Sequence, residues 1–166
     1  MSTRHDVTFD IIGGLVAGVA ATWVMGQATT YLYSHEAPAA RRREDEARGG
    51  DTAYGRAAAK IAAAVGVQLS PEQRRGCGAS LHWAQGAAAG LAFALLQRRT
   101  RTVPRGSGLL FGLALWAAMD EGALWAAGVT PGPLAFPWQT HARGLAGHLV
   151  FGGATEAALD LLHAAA

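Results

Sequence analysis

The chain has 166 residues, a formal net charge of +2 and one cysteine, and only 16% of its residues are charged. That length suits a single domain, and the charged fraction is well under the ~25% usual for soluble domains. The lone Cys77 excludes an intramolecular disulfide and any Cys-rich metal site, and no phosphate-binding loop, nucleophile elbow or nucleic-acid motif is present.

The missing charge is concentrated. From Ile11 to Ser34 there is no Asp, Glu, Lys, Arg or His, a run longer than the ~20 apolar residues that cross a bilayer as a helix. Three more such runs follow: Gly76 to Gln97, broken only by His82; Gly106 to Met119; and Gly144 to Leu159, broken only by His148 and Glu156. A soluble Ala-rich bundle would instead show a polar stripe at the helical period, and the first run carries no charged one. The mean hydropathy of +0.15 is modest because charged loops dilute these segments. The fold expected is all-α, an integral membrane bundle of four transmembrane helices.

In chain order, the first span is expected over residues 10–33. The only charge flanking it on the N-terminal side that could serve a secretory leader is Arg4, the apolar run is too long, and no A-x-A site follows, so it reads as a retained helix. Residues 38–70 read as a charged linker (RRREDEARGGD, Arg41 to Asp51) and a surface helix, since Tyr54, Ile61 and Val65 share one side and Arg56 and Lys60 another. Ser70-Pro71-Glu72-Gln73 is an N-cap, a first-turn proline and a capping-box glutamine. It opens a helix whose span covers 76–97. A basic loop, RRTRTVPRG from Arg98 to Gly106, leads to the third span at 107–127, which Gly128 and Pro131 end. VTPGPLAFPW, Val129 to Trp138, is an uncharged interfacial connection, and the fourth span covers 140–162.

The basic second loop and the Lys/Arg-free third loop place both termini in the cytoplasm by the positive-inside rule, although the first loop, on the other side, also carries arginines. The expected partners are the lipid bilayer and a second copy or another membrane protein, with no nucleic acid. Small residues recur every four positions on each span: Gly14 and Gly18 (continued by Thr22 and Gly26), Gly86 and Gly90, Gly108 and Gly112, and Gly144 and Gly152. This spacing lets helix backbones approach closely in lipid. Thr22, Thr29, Gln27 and Gln85 read as interhelical hydrogen-bonding groups, and the five tryptophans as interface anchors.

Ionisable groups at mid-bilayer cost about 2.5–3.5 kcal/mol each, so they turn to a partner or to water. His141, His148, Gly152, Glu156 and His163 fall within an arc of about 80° on the fourth helix at ~100° per residue. His82, Asp120, Glu121 and His148 share a depth of roughly 6–12 Å from one surface at 1.5 Å per residue, with His141 at the mouth above them. Glu156 lies about 12 Å deeper than His148, grouped with Asp160, His163 and Asp10. The intramembrane polar cluster is therefore His82, Asp120, Glu121, His141, His148 and Glu156.

Three readings stand open for it: buried His–carboxylate pairs that fix helix register; an ion, metal or proton site; or a membrane-embedded metal or haem enzyme. For a divalent metal the ligands are His82, Asp120, Glu121 and His148, two imidazoles and two carboxylates. For haem the axial pair is His82 and His148. Catalytic residues are not identifiable, as neither HExxH nor a Glu-x-x-His pair is present.

HWAQGAAAG (His82 to Gly90), LWAAMDEG (Leu115 to Gly122) and GVTPGPLAFPWQTHARGLAGHLVFGGATE (Gly128 to Glu156) resemble the YagU-type family of small bacterial inner-membrane proteins. The resemblance covers the second to fourth spans. It implies a bacterial inner-membrane location and falls on His82-Trp83, Asp120-Glu121, His141, His148 and Glu156, without implying a reaction.

Overall fold

The computed structural model describes residues 6–100 and 104–166, and every regular element among them is helical. Arg4 and residues 101–103 of the basic loop lie outside the described residues. Four long segments make the bundle: α1 (Val7–Ser34), α4 (Pro71–Arg99), α5 (Ser107–Ala118) with its extension, and α7 (Trp138–Ala165). Between the first two lie the shorter α2 (Pro38–Arg48) and α3 (Ala53–Ala64). α5 passes through a π-turn at Met119–Ala123 into α6 (Leu124–Ala126), and a 3-10 turn at Pro133–Ala135 precedes α7.

Some of these helix ends are set locally and others by distant side chains. Ser70 and Gln73 exchange the reciprocal bonds of a capping box at the start of α4. Gly128, with φ of +64°, takes the left-handed conformation that closes α6, and Val129 N–H returns to the Leu124 carbonyl. Lys60 Nζ, from α3, donates to the Ala127 carbonyl at the same end. Gly106 at the start of α5 has no capping side chain of its own. Glu156 of α7 supplies the cap, accepting from the backbone N–H of Gly106 at 3.0 Å and Gly108 at 3.1 Å. A carboxylate at a helix N-terminus satisfies orphan donors and opposes the helix dipole. Glu156 is thus tied to α5 and not grouped with Asp10, His163 and Asp160, which is exposed.

α1 packs on both α4 and α7, and α7 packs on α5. The glycine pattern explains how close these contacts are. A Cβ placed on Gly18 would fall on the Gly86 carbonyl oxygen, and one on Gly90 would strike the backbone of Gly14 and Gly18. Gly108 and Gly152 face each other in the same way, and Gly112 meets the His148 carbonyl. Gly26, on the same stripe as Gly14 and Gly18, meets nothing within 4 Å. Phe93 and Phe111, rings 5.1 Å apart, bring α4 to α5, and Ala17, Phe93, Ala94 and Leu159 form the deepest core with them. Thr22 and Thr29 donate to carbonyls of their own helix, Gly18 and Met25, and so do not bridge helices with those bonds.

Among the described residues, two helices are long and apolar enough to cross a membrane: Val7–Ser34 and Ser107–Ala126. In the second, only 6% of the apolar window is buried within the protein, leaving Leu109, Leu110 and Leu113 exposed.

The segment 38–70 is not a solvated linker. α2 and α3 fold over one end of the bundle and are held there by charge. Glu44, only 1% exposed, accepts from Arg143 of α7 on both carboxylate oxygens at 2.6 Å, from Thr140 at 3.0 Å and from Arg48 on its own helix. Arg143 also binds Glu36 and lies 4.9 Å over the Tyr33 ring. α3 packs on α4 where Gly78 meets the backbone of Tyr54 and Gly55.

Candidate functional site

Under this cap lies a cavity of about 390 Å³, bounded by α3, α4, the π-turn, the 3-10 turn and α7. A volume of ~300–1,000 Å³ is usual for small-molecule sites. The sequence cluster divides here. Asp120, Glu121, His141, His148 and His82 all line the cavity, while Glu156 stands apart as the α5 cap.

The π-turn sets the acidic pair. Leu124 N–H donates to the Met119 carbonyl five residues back, so the turn is wider than α-helix and carries Asp120 and Glu121 in its first two steps. The two neighbours reach histidines a full two turns apart on α7. Glu121 Oε1 lies 2.6 Å from His141 Nδ1, and Asp120 Oδ2 lies 3.6 Å from His148 Nδ1. Gly144 makes the room, since a Cβ there would come to 3.0 Å from Asp120 Oδ2 and 3.2 Å from Trp116 Nε1. Seven of the eight predicted packing glycines therefore serve helix contact, and Gly144 serves the cavity.

Hydrogen-bond bookkeeping assigns protons. The Gly144 carbonyl, 2.9 Å from His148 Nδ1, can only accept, so Nδ1 carries hydrogen. His141 is more constrained: Nδ1 meets Glu121, and Nε2 lies 3.0 Å from the Pro133 carbonyl. Nε2 must donate to Pro133, so the short contact at Nδ1 needs a second proton, on the ring or on the carboxyl. The pair thus holds one proton more than a neutral imidazole and an ionised carboxylate. No other charged group is required to neutralise it.

His82 sits apart from the acids. Its ring lies 4.9 Å from that of Tyr54, and its buried Nδ1 has no hydrogen-bond partner. A void of about 20 Å³, close to one water in size, separates it from His148 and is lined also by Thr22 and Gln85. Tyr54, brought in by α3, has its phenol pushed up to about 12, chiefly by burial and further by the charge of Asp120. It keeps its proton through the physiological range. Among the described residues, no group of three or more His, Cys, Asp or Glu side chains is placed to hold a metal ion. The four-ligand set of His82, Asp120, Glu121 and His148 is not gathered, because the two acids go to different histidines and His82 faces tyrosine.

The floor of the cavity is closed. Directly below His148, α7 presents Phe151, Thr155 and Leu159, all buried, against Ala21, Ala17 and Phe93. At the far end of the bundle Asp10, itself buried, binds Arg98 at 2.6 Å and His163 at 3.4 Å.

The walls also hold residues that sequence reasoning placed in the linker or passed over. Arg48, Tyr54 and Arg56 come from the cap, and Arg143 from α7. The weak amphipathic pattern of α3 grouped Tyr54 on one side and Arg56 on another, but no local signal says that both point at a cavity. No family model, curated protein or solved structure matches the chain.

Proposed function

We propose that the chain is a multi-pass protein of the bacterial inner membrane, a bundle of four spans that handles protons at a cavity open to one surface. Membrane insertion is supported by the exposed apolar faces of α1 and α5, with Val16, Val19 and Trp23 on one and Leu109, Leu110 and Leu113 on the other. Patches of this kind are covered in water-soluble monomers. α4 and α7 are less apolar for identifiable reasons. α4 is rich in Ala and Gly with arginines at both ends, and the polar groups of α7 are used against α5, α2 and the π-turn.

The observation that carries proton handling is His141, which has an acceptor on each ring nitrogen and so shares a proton with Glu121. Beside it, Asp120 and His148 form a second acid–imidazole contact facing the same space. The packed floor argues for exchange with one face and against a path across the bundle. Occupancy of the cavity would then be coupled to protonation, as in a binding or sensing pocket. With both termini in the cytoplasm, the cavity opens on the opposite face. Reporter fusions at the C-terminus and near Gly132 should give opposite signals.

The direct test is ring ¹⁵N NMR of the purified protein with labelled histidine. The His141 Nδ1 signal should be that of a nitrogen strongly bonded to a carboxyl. Glu121→Gln should abolish that signature, and Glu156→Gln should leave it. A His141 ring that titrates identically in wild type and Glu121→Gln overturns the reading. A packing role fits one part of the site better: Glu44, Arg143 and Arg48 satisfy one another and fasten the cap.

A further inference from the structure

Arg56 is a charged wall residue whose hydrogen bonding is left incomplete. Its Nη1 donates to the Arg48 carbonyl at 2.8 Å, which fixes the guanidinium in place. Its Nε and Nη2 are buried and have no hydrogen-bond partner. Among the described residues no carboxylate lies within ion-pair distance of it. A guanidinium does not shed its proton in proteins, so this half-buried side chain carries a permanent charge without a counter-ion among the described residues, an arrangement that costs free energy unless something pairs with it. The two vacant N–H groups are adjacent and coplanar. They form the side-on edge that grips two oxygens of a carboxylate or phosphate at once.

The surroundings fit an anion. Glu44 pairs with Arg143 and Arg48, Glu36 binds Arg143 through one oxygen and Glu121 contacts His141, while Asp120, the other carboxylate on the cavity wall, faces His148. His82, on the same cavity, presents a second buried nitrogen without a partner. The volume of about 390 Å³ exceeds a bare oxyanion and leaves room for what is attached to it.

We propose that Arg56 is the anchor of a phosphate-binding site, with Nε and Nη2 holding two phosphate oxygens and His82 facing the same ligand. This deepens the one-sided cavity reading and rests on it, but not on the proton shared by His141. The phosphate is either a free ion or the headgroup of an anionic lipid entering from the surrounding leaflet.

The test uses the full chain in a nonionic detergent, titrated first with inorganic phosphate and then with short-chain phosphatidylglycerol, while thermal unfolding and ³¹P NMR line width are followed. Saturable stabilisation by inorganic phosphate assigns a free oxyanion, and saturation by the lipid alone assigns a headgroup. Arg56→Gln should weaken binding by at least about tenfold, as loss of one partner of a desolvated charge pair does. Arg56→Lys should weaken it nearly as much, because an ammonium has no side-on edge. Arg42→Gln removes an exposed cation of α2 and should leave affinity unchanged. In phosphate-free buffer Arg56→Gln should melt no lower than wild type, since it removes an uncompensated charge. Saturation by neither ligand, or equal losses in Arg42→Gln and Arg56→Gln, overturns the proposal. The ¹⁵N signature of His141 would survive that outcome, so the two readings fail separately.

Discussion

The two ends of the bundle are built from the same residue types and use them in opposite ways. At the end where α1 begins and α7 finishes, the described acids at the helix contacts, Asp10 and Glu156, each have a structural job. Asp10 ties α1 to α4 and α7 through Arg98 and His163, and Glu156 closes the first turn of α5. At the other end the polar groups outnumber their mutual needs. His82 Nδ1, Trp116 Nε1 and the side-on edge of Arg56 are buried without partners, and Asp120 faces His148 across a gap too long for a good hydrogen bond. Native proteins leave few buried polar atoms unsatisfied. Their accumulation at one end is what separates a site from a fastening.

The comparison breaks most readily at the fastening of the cap. Glu44→Ala should cost about 3–5 kcal/mol locally, because it leaves the Arg143 guanidinium half-paired in a buried position. Hydrogen exchange across residues 38–64 should then rise sharply, while the amides of α1 and α7 near Leu159 stay protected. Acid should imitate this. Burial alone would raise the Glu44 carboxyl, but the Arg143 hydrogen bond, the charges of Arg48 and Arg143, and the Thr140 hydroxyl together hold it below its ordinary 4.5. A depressed carboxylate contributes its stability above the unfolded value and loses it as pH falls through the folded one. Protection factors across the cap should therefore be flat at neutral pH and fall below about 4.5. A cap that exchanges equally fast in wild type and Glu44→Ala would return residues 38–64 to the status of a solvated linker.

Next in size is the close end. Gly18→Ala and Gly152→Ala put a methyl onto a carbonyl oxygen of the facing helix, and overpacking of this kind costs roughly 1–3 kcal/mol. Gly26→Ala, on the same face of α1 in the sequence pattern, meets nothing and should melt like wild type. If all three melt alike, the helices stand farther apart than the glycines suggest.

What was legible in the sequence follows from range. The capping box at Ser70 and Gln73, the stop at Gly128 and the four-residue glycine spacing are local patterns, and each lies where its pattern says except at Gly26, which meets nothing, and Gly144, which borders the cavity. Helical rise also placed His148 and the acidic pair at one depth. Rise does not give direction around the helix. A π-turn at Met119 rotates the acids in a way that a constant 100° step misses, and Asp120 and Glu121 consequently reach different histidines. The roles of Glu44 and Glu156 depend on partners about a hundred and about fifty residues away in the chain. Neither carries a local sign of burial. Read along the chain, Glu44 is one more charge in a charged run.

The smallest effect predicted is also the most local probe of the cavity. Tyr54 couples cap and site, because α3 brings its ring against His82 and within the field of Asp120. Two causes raise its phenol to about 12, with burial the larger and the Asp120 charge the lesser. Ionising a phenol beside a carboxylate adds like charge to like, so removing that carboxylate must ease ionisation. Asp120→Asn should thus lower the Tyr54 titration by less than the whole shift, leaving it above the ordinary 10.0 because burial is unchanged. Tyrosinate absorbance in a Tyr31→Phe, Tyr33→Phe background isolates the signal, with far-UV circular dichroism recorded alongside to show that the helices persist at alkaline pH. Glu44→Ala should move the same titration only if releasing α2 also lifts α3 off α4. A Tyr54 that ionises near 10 in a folded wild-type protein would mean that α3 does not cover the cavity, and the two ends of the bundle would then differ in charge but not in enclosure.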